Sequence, residues 1–140
     1  MKPAFSLSAA LGQPRVWFWS WVGWFAVLFL FSSLPGSGIK FSPWPHFDKI
    51  EHALYFFAGG VLVGGWLISQ SRWPRSAWIV PLTSALVGAF DEWHQKFSPG
   101  RSALDFADWS ADFIGGTFAL LPLIWLARFI VALQPTKAAG

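Results

Sequence analysis

The sequence predicts an all-α fold, a bundle of four transmembrane helices built as a single domain over residues 1–140. Three observations lead to this fold class. Hydrophobic residues make up 54% of the chain and charged residues only 12%, whereas soluble proteins carry about 25% charged residues. Four apolar segments approach the length that crosses a bilayer. The connections between them are short and contain Pro, Gly and Ser, which are typical of turns.

The first two predicted spans follow stretches with few charges. Span one covers residues 16–34, which contain no charged residue and extend about 28 Å as a helix, close to the thickness of a bilayer's hydrocarbon region. A cleaved signal peptide has a shorter apolar core of about 7–15 residues, so we expect span one to be retained. Span two covers residues 50–70 and contains Gly60 and Gly64, a spacing that lets membrane helices approach closely.

The third and fourth predicted spans include acidic residues. Their uncharged cores are shorter than the roughly 20 residues that a membrane crossing requires, so the spans extend outward to residues 76–97 and 105–133. Acidic side chains within a membrane normally face the interior of the helix bundle. Pro81 falls in the first turns of span three, and Pro122 is expected to kink span four.

Charged residues are distributed unequally between the two ends of the spans. Six Lys and Arg residues lie on the side of both termini and four on the other side, and this asymmetry favours cytoplasmic termini. All seven acidic residues and all three histidines lie at the opposite end. The sequence therefore predicts an integral protein of the cytoplasmic (inner) membrane, with any functional site at the extracytoplasmic face.

Three sequence clusters contain most of these ionisable residues. Residues 48–52 match the pattern D-K-x-x-H, residues 91–101 match D-E-x-x-Q-x-F-x-P-G-R, and residues 108–115 match D-x-x-x-(N or D)-x-x-G, with Asp at position 112. In this order, and at span ends, the clusters resemble those of the VanZ-like family of small integral membrane proteins. The resemblance implies an α-helical protein of the cell envelope, in a family of which some members are linked to low-level resistance to the glycopeptide teicoplanin.

The chemistry of these side chains indicates a polar pocket. His52 lies one helical turn after Asp48, and a neighbouring carboxylate orients the imidazole of general bases and metal ligands. Adjacent acids at low dielectric, as at Asp91 and Glu92, need a cation, a metal ion or a shared proton. Arg101 follows a Pro-Gly turn and offers a planar fork for phosphate or carboxylate. The candidate catalytic residues are His52, Asp91, Glu92 and Asp108; the candidate substrate-binding residues are Lys49, Gln95, Arg101 and Asp112; the candidate metal ligands are Asp91, Glu92 and Asp108.

We expect the pocket to bind the anionic head group of a membrane lipid or a phosphorylated lipid carrier. Because carboxylates repel phosphate, this interpretation requires protonated acids or a divalent cation such as Mg²⁺, which prefers oxygen ligands. As an enzyme, the protein would catalyse metal-assisted hydrolysis or transfer at the lipid phosphate. The alternative is a non-catalytic envelope protein that affects glycopeptide susceptibility by binding a lipid or a partner protein, with a purely structural polar cluster.

Several other functions are disfavoured. The chain has no cysteine, which excludes disulfides, thiolate metal sites and cysteine nucleophiles. Its Lys and Arg residues are scattered, so nucleic acid is not an expected partner. Ion transport is disfavoured because the acids and histidines lie at one end only. We interpret four tryptophans of span one as an aromatic belt at the membrane interface: Trp17, Trp19, Trp21 and Trp24. We interpret His46 and His94 as ordinary residues of the membrane interface.

Overall fold

A computed structural model of the chain describes residues 11–36 and 46–133. This part of the chain is helical and contains no β-strand, which confirms the all-α prediction. The helices are α1 (Pro14–Ser33), α2 (Phe47–Ser69), α3 (Ile79–His94), a 3₁₀ helix (Gln95–Phe97), α4 (Phe106–Phe118) and α5 (Leu120–Leu133).

Three helical segments are long and apolar enough to cross a membrane. They are α1, α2 and the combined segment Phe106–Phe129, which contains α4 and most of α5. Large apolar side chains on their outer surfaces are exposed, among them Leu54 at 65% and Trp125 at 70%. Soluble proteins rarely expose extensive apolar surface. The length, composition and surface of these helices therefore indicate a membrane protein.

Helix α3 is shorter than the predicted third span. Its 16 residues begin at Ile79 and end at His94, after which the 3₁₀ helix continues to Phe97. Residues 73–78, which include the first part of the predicted span, form turns instead. Helix α3 does not reach spanning length by itself, so a count of four spans stays a prediction.

Glycine residues bring α2 and α4 into close contact. A Cβ atom at Gly115 would collide with the backbone of Ala53, and one at Gly60 would lie 2.8 Å from the Cβ atom of Ala119. Small residues let the two backbones approach, because membrane helices associate mainly through close packing. The predicted close-packing positions Gly60 and Gly64 are confirmed by such contacts, and Gly88, Gly115 and Gly116 make similar ones.

Helix α1 packs on α2 through aromatic rings placed against glycine. Trp17 is 8% exposed and covers Gly65, and Trp24 covers Gly59. The Trp24 indole Nε1 also donates to the carbonyl of Tyr55 at 3.0 Å, while the Tyr55 hydroxyl donates to the carbonyl of Trp24 at 2.7 Å. The aromatic-belt interpretation is therefore wrong for Trp17, whose ring fills space that glycine leaves in the core.

The predicted fourth span is interrupted at Ala119, between α4 and α5. Pro122 lacks the amide hydrogen that would bond to the carbonyl of Phe118, four residues earlier. This position agrees with the irregularity expected from Pro122. The interruption separates the polar α4 from the apolar α5.

Candidate functional site

A pocket of about 420 Å³ lies between α1, the start of α2 and the end of α3. Its volume is within the range of about 300–1,000 Å³ that is usual for ligand pockets. Four of the predicted site residues line it: His52, Asp91, Gln95 and Arg101. The other lining residues are Leu28, Phe31, Ser32, Leu34, Pro35, Gly36, Asp48, Glu51, Tyr55 and Phe56.

The other four predicted site residues do not line this pocket. Lys49, Glu92, Asp108 and Asp112 form contacts between α2, α4 and the end of α3. Glu92 is 3% exposed, Asp108 7% and Asp112 0%. The structure thus brings the predicted residues of three helices together, but divides them between a pocket and an adjoining interhelical network.

His52 connects the pocket to the network. Its Nδ1 atom lies 2.9 Å from Oδ1 of Asp112, and its Nε2 atom lies 4.0 Å from Oδ1 of Asp108. Sequence spacing predicts Asp48 as the partner of His52, and this is wrong. The Asp48 side chain is 57% exposed and pairs with Lys49, whereas the imidazole turns toward α4. A carboxylate on Nδ1 holds the ring in place and leaves Nε2 to exchange a proton.

Asp91 accepts hydrogen bonds at both carboxylate oxygens. The Ser32 hydroxyl donates to Oδ1, and Gln95 Nε2 donates to Oδ2 at 2.9 Å. Gln95 is one helical turn after Asp91, as the sequence indicates. Ser32 comes from α1, and none of the candidate residues named from the sequence lies on this helix. The only feature of the sequence that could have indicated this role is a hydroxyl group at the polar end of an uncharged span.

Lys49 lies among three carboxylates. Its Nζ atom is 3.1 Å from Asp48 Oδ2 and 3.3 Å from Asp105 Oδ2, and it donates to Oδ1 of Asp108. Asp105 is also the N-cap of α4, where its Oδ1 accepts from the amide of Ala107 at 2.8 Å. This backbone hydrogen bond lowers the pKa of the Asp105 carboxyl. The single ammonium of Lys49 therefore offsets the negative charge at the start of both α2 and α4.

The predicted metal ligands have separate partners. Asp91 accepts from Ser32 and Gln95, and Asp108 pairs with Lys49. Glu92 Oε2 accepts from the amide of residue 105 at 2.6 Å. Within residues 11–36 and 46–133, no three His, Cys, Asp or Glu side chains are arranged to hold a metal ion. The three carboxylates do not converge on one point, and the magnesium site stays a prediction.

Two buried carboxylate oxygens lack a hydrogen-bond partner in the described part of the chain. They are Oε1 of Glu92 and Oδ2 of Asp112. Asp112 Oδ2 faces Gly88, where an added Cβ atom would lie 2.7 Å away. The absence of a side chain at Gly88 therefore leaves room for the Asp112 carboxylate against α3.

Arg101 joins the pocket wall to the C-terminal end of α1. Its Nη2 atom donates to the carbonyl of Phe31 at 2.6 Å, and its Nε atom donates to the carbonyl of Leu34 at 3.2 Å. The last carbonyls of a helix have no partner within the helix and attract a cation. These bonds use two of the five guanidinium N–H groups, so Arg101 is positioned by α1 and retains donors that a ligand can use.

The residues before Arg101 attach to the same end of α1. Ser98 Oγ donates to the carbonyl of Ser32 at 2.7 Å, and the amide of Gly36 donates to the carbonyl of Pro99 at 3.0 Å. The connection that follows α3 is therefore bonded to the end of α1 through backbone groups.

Comparisons with protein-family models, with curated proteins and with solved structures gave no significant match. The resemblance of residues 48–116 to the VanZ-like family therefore stays a prediction.

Proposed function

We propose that the protein is a VanZ-like integral membrane protein of the cell envelope whose pocket binds the head group of a phosphorylated or otherwise anionic membrane lipid. The supporting observation is that both polar and apolar side chains line the pocket. Arg101 and His52 lie on it together with the apolar side chains of Leu28, Phe31 and Phe56. A membrane lipid presents a polar head group joined to an apolar chain, so both parts meet a matching surface.

In this proposal α3 also crosses the membrane, as the third of four spans. Its 16 helical residues extend about 24 Å, and the three residues of the 3₁₀ helix add about 6 Å. The total approaches the roughly 30 Å of a bilayer's hydrocarbon core. With cytoplasmic termini, as the distribution of Lys and Arg favours, the pocket opens at the extracytoplasmic face of the cytoplasmic membrane.

Purification of the full chain in a mild detergent, followed by native mass spectrometry, tests the lipid-binding proposal. We expect a phosphorylated lipid to remain bound to the wild type and to be largely lost from Arg101→Gln. Arg75→Gln is the matched control, because Arg75 is exposed in the connection between α2 and α3. Since Arg101 also holds α1, thermal unfolding of each variant establishes whether it is folded. Equal lipid retention by folded Arg101→Gln and wild type contradicts the proposal.

The contact between His52 and Asp112 favours a second candidate, acid–base catalysis at the lipid phosphate. A base at Nε2 takes a proton from water as the water oxygen bonds to phosphorus, and the bond from phosphorus to the leaving oxygen breaks. Arg101 binds the phosphate oxygens. The test measures phosphate release from a phosphorylated lipid carrier. We expect His52→Gln to retain lipid but to lose turnover.

The interhelical bonds support the non-catalytic alternative, in which the protein affects glycopeptide susceptibility by binding a lipid or a partner protein. Lys49–Asp108 and His52–Asp112 each join α2 to α4, as a structural network would. Asp112→Asn distinguishes the alternatives. A folded, abundant variant that loses the envelope phenotype supports a working site, whereas a variant that fails to fold supports a structural network.

A further inference from the structure

The pocket carries opposite charges beside two different helices. Arg101 is bonded to the carbonyls of Phe31 and Leu34 at the end of α1. Asp48 and Glu51 lie in the first turns of α2, and both line the same pocket. A ligand that extends from the α1 side to the α2 side therefore meets a guanidinium at one end and carboxylates at the other.

The carboxylates of the pocket differ in how much of their charge is already offset. Asp91 accepts a hydrogen bond at each oxygen. Asp48 forms an ion pair with Lys49, which also forms ion pairs with two other carboxylates. Glu51 has no ion-pair partner within residues 11–36 and 46–133. Glu51 is therefore the carboxylate best placed to bind a cationic group on a ligand, with Asp48 beside it.

Resting on the proposed lipid-binding function, we propose that the pocket selects a zwitterionic head group in which a phosphate ester is joined to a primary ammonium, as in phosphoethanolamine. The phosphate binds Arg101, and the ammonium donates to Glu51 and Asp48. A purely anionic head group places like charges against the α2 wall, which is unfavourable. A primary ammonium has three N–H donors for carboxylate oxygens, whereas a trimethylammonium group has none.

Competition between phospholipids with identical acyl chains tests this selectivity. The detergent-purified full chain is mixed with equal amounts of phosphatidylethanolamine, phosphatidylglycerol and phosphatidylcholine, and bound lipid is measured by native mass spectrometry. We expect phosphatidylethanolamine to exceed each competitor by about tenfold, the ratio that one charge-assisted hydrogen bond supplies. Equal or greater binding of either competitor overturns the selectivity and leaves lipid binding intact. If none of the three binds but the purified chain retains another phosphorylated lipid, the selectivity alone fails; if no phosphorylated lipid binds in either experiment, the proposed function itself fails.

Variants of the α2 wall give a second readout. We expect Glu51→Gln to bring the ratio of phosphatidylethanolamine to phosphatidylglycerol close to one, because the variant binds less phosphatidylethanolamine. Asp48→Asn is expected to lower the same ratio by a smaller factor. Asp105→Asn is the matched control, because Asp105 does not line the pocket, and it should leave the ratio unchanged. An unaltered ratio in folded Glu51→Gln and Asp48→Asn contradicts the proposal.

An experiment with water-soluble compounds that lack acyl chains tests recognition of the head group alone. We expect free phosphoethanolamine to raise the thermal unfolding temperature of the delipidated chain, and inorganic phosphate at the same concentration to have little effect. Equal effects of the two compounds contradict a role for the ammonium.

Discussion

His52 Nδ1 lies 2.9 Å from Oδ1 of Asp112, and this contact joins α2 to α4 at a position where Asp112 is fully buried. The two residues are 60 positions apart in sequence. Their distance therefore depends on how closely the two helices pack. Because His52 also lines the pocket, the same residue takes part in helix packing and in the pocket wall.

A double-mutant cycle should detect the His52–Asp112 contact. We expect the free energy of unfolding lost in the double variant His52→Ala/Asp112→Ala to be smaller than the sum of the two single losses by about 1–3 kcal/mol. The reason is that either single variant already removes the contact. The measurement is reversible unfolding in mixed detergent micelles.

A second cycle provides the control for this coupling. Thr117 lies on the same helix as Asp112, but its hydroxyl donates to the carbonyl of Phe113 within α4. We expect the effects of Thr117→Ala and His52→Ala to be additive within about 0.5 kcal/mol. Coupling of equal size in both cycles would show that the His52–Asp112 contact has no special energy.

Glycine packing between the helices should be sensitive to a single methyl group. We expect Gly115→Ala to reduce the free energy of unfolding by about 1–3 kcal/mol, because the new Cβ atom meets the backbone of Ala53. Gly23→Ala is the matched control, since no atom lies within 4 Å of its added Cβ position. Alanine there should be neutral or stabilise α1 by about 0.5–1 kcal/mol. Similar losses at both positions would contradict close packing of α2 and α4.

The N-cap of α4 should make stability depend on pH. Folding lowers the pKa of Asp105 through the hydrogen bond from the Ala107 amide. The ionised cap therefore stabilises the folded chain above the ordinary carboxyl pKa of about 3.9, and this contribution is lost as the pH falls through the lower pKa of the folded state. At pH 7 we expect Asp105→Ala to cost about 1 kcal/mol.

Unfolding of the wild type, Asp105→Ala and Asp105→Asn at several pH values checks this expectation. The difference between wild type and Asp105→Ala should narrow below about pH 4. Asp105→Asn retains a capping oxygen, so its loss at pH 7 should be smaller. A difference that stays constant between pH 7 and pH 3 would be evidence against a charged cap.

The response to Mg²⁺ should depend on Lys49. In the wild type its ammonium already lies among the carboxylates of Asp48, Asp105 and Asp108. Lys49→Met removes that positive charge and leaves oxygen atoms of the kind that hard cations prefer. We expect Mg²⁺ to raise the unfolding temperature of Lys49→Met more than that of the wild type.

The same titration tests the magnesium site predicted from the sequence. Its ligands are Asp91, Glu92 and Asp108. Stabilisation of the wild type by Mg²⁺ that disappears in Asp91→Asn and Glu92→Gln would support that site and contradict the expectation for Lys49. Calcium is a useful second ion, because it accepts more flexible oxygen coordination than magnesium.

Local sequence patterns were sufficient for part of the candidate site. Gln95 follows Asp91 by one helical turn, and the predicted neighbouring positions correspond to a hydrogen bond of 2.9 Å. The same logic failed for Asp48 and His52, because Lys49 at the exposed start of α2 attracts the Asp48 carboxylate. Spacing along one helix identifies side chains that are near each other, but it does not decide which of them bond.

Spacing along the sequence could not predict the contacts between helices. Ser32 reaches Asp91 from α1, and Arg101 donates to the carbonyl of Phe31 at the end of the same helix. Neither contact has a signal in the spacing of residues. Each depends on the rotation of α1 about its axis, which is set by the packing of Trp17 and Trp24 against glycines of α2.

Composition and segment length by themselves determined that this is a helical protein suited to a membrane, and the positions of the three polar clusters predicted that its acids and histidines lie at one end of the helices. These properties follow from the chain's local chemistry, because a lipid environment requires long apolar segments with internally bonded backbones. Tertiary structure alone decided that Asp112 is the partner of His52 and that Ser32 and Arg101 tie α1 to the pocket. Hydrogen bonds act over about 3 Å, so these pairings exist only once the glycine contacts have set the distance and rotation of each helix.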